Sequence, residues 1–213
     1  MPVLLPISAL GNVSIDVFLR YVLPKARLCA DETARNEIRR AITTICRRAL
    51  LWREHQPAII TEETTTFYAY TPAPGQKVFK LLSATLDGED CEIVDPKLGQ
   101  LRDDARETSA YIYGRFAAFE LRPQQAGGKE VVTYCAMVPS IDATEVPAAF
   151  EEYAEQIGTG ALAKLLAVKD ESYSDQKMAA SLQREWNNDV ATIASAAFRG
   201  HSRSRPRTTP QWF

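Results

Sequence analysis

The fold is predicted most strongly by one stretch of sequence, Pro147-Ala-Ala-Phe-Glu-Glu-Tyr-Ala-Glu-Gln-Ile-Gly-Thr-Gly-Ala-Leu-Ala-Lys-Leu-Leu166. Proline is well tolerated in the first turn of a helix, because the N–H that it lacks would have no partner there. Glu151 and Glu152 follow at once, where carboxylates complement the positive end of the helix dipole. The stretch therefore predicts a helix that begins at Pro147.

A second helix is predicted after the polar turn Lys169-Asp-Glu-Ser-Tyr-Ser174. Its apolar residues recur with the helical period of 3.6 and continue to Phe198. These residues are Met178, Leu182, Trp186, Val190, Ile193 and Ala197. The two helices predict a hairpin over residues 145–200.

Two glycines, Gly158 and Gly160, lie in the middle of the first predicted helix. A glycine inside a helix costs about 1 kcal/mol relative to alanine, and tight helix–helix contact is the natural compensation. We therefore predict close packing at both glycines. With Trp186, they are the candidates for packing between subunits.

The N-terminal part of the chain also predicts helices. Ser14 is a plausible N-cap for a short helix that ends before Pro24, and Ile15, Phe18 and Leu19 share its apolar face. A longer helix begins at Asp31, is closed by Trp52 and ends at Pro57. Its apolar stripe comprises Ala34, Ile38, Ala41, Ile42, Ile45, Cys46, Ala49 and Leu50.

Five arginines lie on or beside the solvent side of this longer helix. They are Arg35, Arg39, Arg40, Arg47 and Arg48. Such a face either contacts phosphate or is simply solvated, and both interpretations stay open at this point.

The residues between these helical parts predict strands, because they are rich in threonine, aromatic and β-branched side chains. Six are expected, at 61–70, 77–86, 91–94, 110–114, 116–121 and 131–138, with an Asp87-Gly88 turn. They predict a small antiparallel sandwich or barrel. The expected fold is α+β: a helical bundle from residues 1–57 and 145–200, an inserted β-domain at 58–144, and an extended C-terminal arm at 201–213.

The arginine-rich segment, residues 199–213, has a composition unlike the rest of the chain. It contains Arg199, Arg203, Arg205, Arg207, Trp212 and Phe213, and no acid. Such a peptide cannot bury enough apolar surface to fold alone. We interpret it as an arm that docks on another protein through these six residues; a solvated chain terminus is the alternative.

The charge is unevenly distributed. The whole chain carries a formal net charge of −2, to which the four arginines of this segment contribute +4, so that residues 1–198 carry −6. An acidic body with a basic arm favours a specific docking surface over a protein that coats nucleic acid. An acidic surface would also suit the lining of a passage for nucleic acid, because phosphate would not adhere to it.

Motifs of catalysis and metal binding are not found in the sequence. The four cysteines and two histidines have no zinc-ligand spacing, and there is no nucleophile elbow, P-loop or dinucleotide fingerprint. His55 is interpreted as a cap of the long helix. We predict no catalytic, cofactor-binding or metal-binding residue, no enzymatic activity, no cofactor and no membrane span.

Four features in order resemble the head-to-tail adaptor (connector) proteins of tailed bacteriophages, of the tail tubular protein A type. The first is the helix end Arg47-Arg-Ala-Leu-Leu-Trp-Arg-Glu54 before a Thr/Tyr-rich strand, and the second is the strand-rich insert with its Leu86-Asp-Gly88 turn. The third is the proline-led stretch from Val146 to Leu166. The fourth is the last helix, from Met178 to Arg199, followed by the arginine-rich segment.

This resemblance implies a structural protein of the virion neck, made in the bacterial host cytoplasm. It implies an oligomeric ring, typically dodecameric, that lies beneath the portal, receives tail or nozzle proteins and surrounds genomic DNA without sequence-specific binding. Trp212 and Phe213 would fill apolar pockets of the portal, and Arg203, Arg205 and Arg207 would pair with its acids.

Other classes of protein remain as alternatives. The chain could be a tail completion or gatekeeper protein, or a virion protein next to the tail nozzle. A monomeric binding module of the cell and a small hydrolase are the non-virion alternatives.

Overall fold

The computed structural model describes residues 11–94, 111–114, 117–169 and 171–199, which form a mixed α+β fold. The helices of this part are a 3-10 helix at Ile15–Tyr21, α1 at Asp31–Ala49, a 3-10 helix at Ala148–Tyr153, α2 at Ala154–Leu166 and α3 at Gln176–Phe198. The strands are β1 (Asn12–Ser14), β2 (Arg53–His55), β3 (Ile59–Ile60), β4 (Phe67–Ala69), β5 (Gln76–Leu86), β6 (Glu89–Asp90), β7 (Glu92–Val94), β8 (Tyr111–Gly114), β9 (Ala118–Arg122), β10 (Glu130–Pro139) and β11 (Glu145–Pro147).

The predicted helical hairpin is present as α2 and α3. The backbone N–H of Asp175 donates to the carbonyl of Leu166 across the turn. The Asp175 carboxylate then accepts from the N–H of Met178 at 2.9 Å and caps α3. These two bonds fix the start of α3 beside the end of α2.

The long N-terminal helix packs against both members of this hairpin. The apolar stripe of α1 is buried, with Ile38, Ile42 and Ile45 fully shielded from solvent. α1 contacts α2 and α3 although strands separate them in the sequence. We call the 3-10 helix Ile15–Tyr21, α1, α2 and α3 the helical layer.

The first helix after residue 11 is a 3-10 helix and not an α-helix. Ser14 is its N-cap, as predicted, and the Ser14 hydroxyl accepts from the N–H of Asp16. Ile15, Phe18 and Leu19 form its buried face, which is also as predicted.

Pro147 does not begin an α-helix, which corrects the sequence-based prediction. Pro147 is the last residue of β11 and precedes a 3-10 helix, and α2 begins only at Ala154. The reason is that Val146 pairs with Val13 of β1, which holds these residues in an extended conformation.

The end of α1 also differs from the prediction, because Trp52 and His55 lie outside the helix. α1 ends at Ala49, and Leu50 adopts the left-handed conformation with φ 49°. The chain then enters β2, which pairs with β10 in the register His55 to Tyr134. His55 therefore does not cap α1, and its ring lies 4.6 Å from the ring of Tyr134.

Strand β10 is the centre of the larger sheet. It pairs with β2, β3 and β5, and β5 continues to β6. A second sheet has the order β4-β9-β8-β7, and β1 and β11 form a two-stranded ribbon. We call the part from β2 to β10 the strand region.

Two strand predictions need correction. β7 and β8 pair in parallel, whereas an antiparallel arrangement was predicted throughout. The strand predicted at 61–70 is present only as β4, Phe67–Ala69, whereas Thr61 bonds through its backbone and its hydroxyl to the turn at residues 126–129.

One apolar core runs through the helical layer and the strand region. It includes Phe18, Ile38, Phe119 and Phe150. The indole of Trp52 meets the Phe150 ring edge-on at 6.2 Å, which links β2 to the 3-10 helix before α2. The predicted domain boundaries remain predictions.

Candidate functional site

The arginine-rich segment lies almost entirely outside the described residues. Of its predicted anchors, Arg199 is described, at the C-cap of α3. The other anchors, Arg203, Arg205, Arg207, Trp212 and Phe213, lie outside the described residues, as does the predicted extended arm. Phe198, the last residue of α3, has 69% of its side chain exposed. The segment therefore starts from a helix end at the protein surface.

Helix α3 is much longer than its partner in the hairpin. It has 23 residues and α2 has 13, which correspond to about 35 Å and about 20 Å. Because the turn is fixed where Asp175 bonds to Leu166, the last part of α3 extends beyond the first residue of α2. This last part still packs partly on the core through Ala194 and Ala197, and the arginine-rich segment begins just after it, at the exposed Phe198.

The two glycines of α2 are sites of close packing, as predicted. A Cβ at Gly158 would lie 2.5 Å from the Cβ of Tyr21, and one at Gly160 would lie 2.7 Å from the Trp186 ring. Trp186 is buried. The structure places all three residues in contacts within one chain, where they pack the helical layer, because the 3-10 helix and α3 occupy the space against α2.

The arginines of α1 are largely neutralised by neighbours. Arg35 pairs with Asp16 at 2.7 Å, and Arg39 pairs with Glu32 at 3.0 Å. The hydrogen bond from Arg39 lowers the pKa of Glu32, and Arg35 adds to this effect. Ion pairing favours a solvated face over a phosphate-binding one.

A cleft of about 350 Å³ lies where four segments meet. These are β1, the residues between α1 and β2, the turn before β5 and the loop that leads into β11. The residues that line it are Asn12, Trp52, Pro74, Gly75, Gln76, Asp142, Thr144, Glu145 and Val146. Sequence reasoning missed this cleft, because its walls come from distant parts of the chain.

The loop that forms one wall of the cleft is held firmly. The N–H of Ser140 donates to the carbonyl of Gly75, and the N–H of Ile15 donates to that of Thr144, both at 2.9 Å. The guanidinium of Arg39 donates from Nε to the carbonyl of Ala143 at 2.8 Å. With three elements bonded to it, this wall is preorganised.

The cleft offers hydrogen-bond acceptors and negative charge. Asp142 and Glu145 are exposed, and no lysine or arginine is among the described residues that line the cleft. Behind this lining, Glu54 Oε1 accepts from Trp52 Nε1 at 2.8 Å and from Gln76 Nε2 at 3.3 Å. Chemically, the cleft suits a cationic or donor-rich group.

The buried cysteines are poor candidates for reactive groups. Burial raises the pKa of Cys135 to about 11 and also raises that of Cys46. Both therefore remain thiols at neutral pH. Within the described ranges, no group of three His, Cys, Asp or Glu side chains is placed to hold a metal ion.

None of the helices in the described part of the chain is both long and apolar enough to cross a bilayer.

Comparison with known proteins finds no matching family model and no matching curated protein.

Proposed function

We propose that this protein is a structural head-to-tail connector of a tailed-phage virion, without enzymatic activity. It forms a ring under the portal, joins the capsid to the tail and surrounds the DNA channel. In this proposal the helical layer is a bundle, the strand region is an inserted sandwich, and residues 201–213 are an extended arm. The observation that carries the proposal is the exposed end of α3 at Phe198, because the arginine-rich segment follows it at the surface.

The packing of the helical layer supports the resemblance to adaptor proteins. α1 contacts α2 and α3, while the strand region comes between α1 and α2 in the sequence. A compact helical unit interrupted by strands is the arrangement that the adaptor resemblance implies. In the sequence, α3 is followed directly by the arginine-rich segment.

The charge distribution supports a ring through which DNA passes. Residues 1–198 carry a formal charge of −6, and Arg35, Arg39 and Arg40 are paired with acids of their own chain. A surface of this kind has little attraction for phosphate, so DNA would slide past it. In this proposal Arg203, Arg205 and Arg207 of the arginine-rich segment contact the portal.

The arginine-rich segment is proposed to supply the affinity for the portal. Arg203, Arg205 and Arg207 would pair with portal carboxylates, and Trp212 and Phe213 would fill apolar pockets. Each arm alone would bind weakly. A ring that presents many arms would bind with an avidity far above that of one arm.

Deletion of residues 199–213 tests this proposal. We expect a protein that stays folded, because α3 remains up to Phe198, but that no longer binds portal rings from the same phage in pull-down and electron microscopy. A full-length control carries a Gly/Ser-rich segment of equal length in place of residues 199–213. It should also fail to bind, which separates the effect of composition from that of length.

Equal portal binding by the deletion variant would overturn the role of the segment. A full chain that binds the tail protein but never the portal would favour a tail completion protein instead.

A further inference from the structure

The cleft combines unpaired carboxylates with an apolar rim. Among the described residues Asp142 has no ion-pair partner, and Glu145 accepts only from Asn12 Nδ2 at 3.5 Å. Beside them Ile141 has 81% of its side chain exposed, and Pro74 is also exposed. The cleft therefore offers acceptors for guanidinium groups next to apolar surface for an aromatic ring.

The rigidity of the cleft adds to its fitness for binding. Its wall between Ser140 and Thr144 is bonded to the turn at Gly75, to Ile15 and to Arg39. Little conformational entropy is then lost when a ligand orders against it. Surface loops with so many backbone bonds are suited to hold a partner in one register.

The arginine-rich segment has the complementary chemistry. It carries four arginines and no acid, and it contains Trp212 and Phe213. The thirteen residues after Gly200 span at most roughly 43–47 Å when extended, and they follow the exposed end of α3 at Phe198. We propose that, in the absence of the portal, the arginine-rich segment of one copy docks in the cleft of a second copy.

This contact joins two different surfaces and is therefore heterologous. Such contacts close into a ring or continue as an open chain, according to the rotation between copies. The same segment would serve the portal later, so the two dockings would compete. The inference goes beyond the connector role, because it concerns the protein without its portal.

The test is the self-association of the full chain at low ionic strength, measured by sedimentation equilibrium. Neutralising the cleft with Asp142→Asn and Glu145→Gln should weaken association roughly tenfold, as expected for two partly exposed arginine–carboxylate pairs. Both residues are at the surface, so the variant should fold normally. Added salt should also weaken association of the unmodified chain, because it screens the charges of the segment and the cleft.

The partner surface is tested by replacing Arg203, Arg205 and Arg207 with glutamine. This variant should show a similar loss of about tenfold. Combining it with the cleft variant should add little further loss, because the two sets of residues act on one contact. Strictly additive losses would overturn the pairing of segment with cleft.

A matched control removes two exposed acids at the other end of β5, Glu89→Gln and Glu92→Gln. Ten residues of strand separate Gln76 from Leu86, about 33 Å. This variant should associate within about twofold of the unmodified chain. If this control weakens self-association as much as the cleft variant does, the effect comes from net charge and the cleft is not the docking site.

Two further outcomes would overturn the proposal. A chain that stays monomeric at every concentration excludes docking on a second copy. If the fluorescence difference between the full chain and its Trp212→Phe variant then still depends on Asp142 and Glu145, the segment docks in the cleft of its own chain. The connector role can hold even if the segment does not dock in the cleft. Portal binding is measured separately, and the cleft variant should still bind the portal.

Discussion

The helical layer and the strand region bury their polar groups differently. In the strand region, Gln56 and Tyr70 are buried, and each has a side-chain oxygen that is shielded from solvent and has no hydrogen-bond partner in the described part of the chain. In the helical layer, the oxygens of this kind belong to Glu37 and Gln156, which are only partly buried. In α1, Arg35 forms its ion pair with Asp16 at the surface.

Both regions expose apolar side chains, Ile60 and Phe67 in the strand region and Phe198 in the helical layer, but they differ in how closely their elements pack. In the helical layer, α2 packs so closely that Gly158 and Gly160 leave no room for a Cβ. An unpaired buried polar group costs about 1–3 kcal/mol. Substitution in the close contacts of the helical layer is therefore expected to destabilise the protein, whereas replacing a buried polar group such as Tyr70 can stabilise the strand region.

The largest expected effect is in the helical layer. Trp186→Ala should lower the free energy of unfolding by about 3–5 kcal/mol, because it removes a buried ring against α2. Chemical denaturation measures this loss. Phe67→Ala in the strand region is the control and should cost less than about 1 kcal/mol, since the Phe67 ring is mostly exposed. Similar losses in both variants would break the comparison.

The next effect tests the contact between Gly160 of α2 and the Trp186 ring of α3. Gly160→Ala should destabilise the protein by about 1–3 kcal/mol, because its Cβ would meet the Trp186 ring at 2.7 Å. This outweighs the helix propensity of alanine, about 1 kcal/mol. In the Trp186→Ala background the same substitution should become stabilising. If Gly160→Ala still destabilises the protein in the Trp186→Ala background, the Trp186 ring is not what excludes a Cβ at residue 160.

A smaller effect separates two tyrosines of the strand region. Tyr70→Phe should leave stability unchanged or raise it by about 0.5–1 kcal/mol, because the buried hydroxyl lacks a partner among the described residues. The same burial raises the pKa of Tyr70. Tyr68→Phe should cost about 1 kcal/mol, because the Tyr68 hydroxyl accepts from the N–H of Glu62 and donates to the carbonyl of Thr65.

Both tyrosines are 7% exposed and both rings pack on Phe119, so each variant is the control for the other. Thermal unfolding of the two variants side by side makes the measurement. Equal and unfavourable shifts would show that Tyr70 has a partner after all.

The smallest effect concerns the surface of the helical layer. The hydrogen bond from Arg39 lowers the pKa of Glu32 from its ordinary value of 4.5. The stability that Glu32 contributes is therefore present above about pH 4.5 and is lost as the pH falls through its lower folded-state pKa. Glu32→Gln should flatten this acid limb of the unfolding profile, whereas Glu151→Gln should not. A profile unchanged by Glu32→Gln would contradict the pairing.

The helical layer was largely predictable because its signals are local. The apolar stripe of α1, the cap at Ser14 and the start of α1 at Asp31 follow from the sequence and agree with the structure. The end of α1 was not predictable, because Leu50 turns left-handed without a glycine to signal it. Pairing of Val146 with Val13 likewise overrides the helix start that Pro147 indicates.

The strand region and the cleft depend on contacts between distant residues. Strand positions such as β5 and β10 could be predicted, but the parallel pairing of β7 with β8 is a choice among partners that no local pattern specifies. The cleft joins Asn12 to Trp52, Gly75 and Glu145, and composition does not indicate that these residues meet. The predicted anchors beyond Arg199 lie outside the described residues.

The wide separation of α1 from its partners has a consequence for synthesis. α1 ends at Ala49, whereas α2 begins at Ala154. At common translation rates the ribosome needs roughly 5–20 s to make the residues between them. During that interval the side of α1 that packs against α2 and α3 stays uncovered, and a nascent chain arrested before α2 should recruit chaperones and aggregate once released.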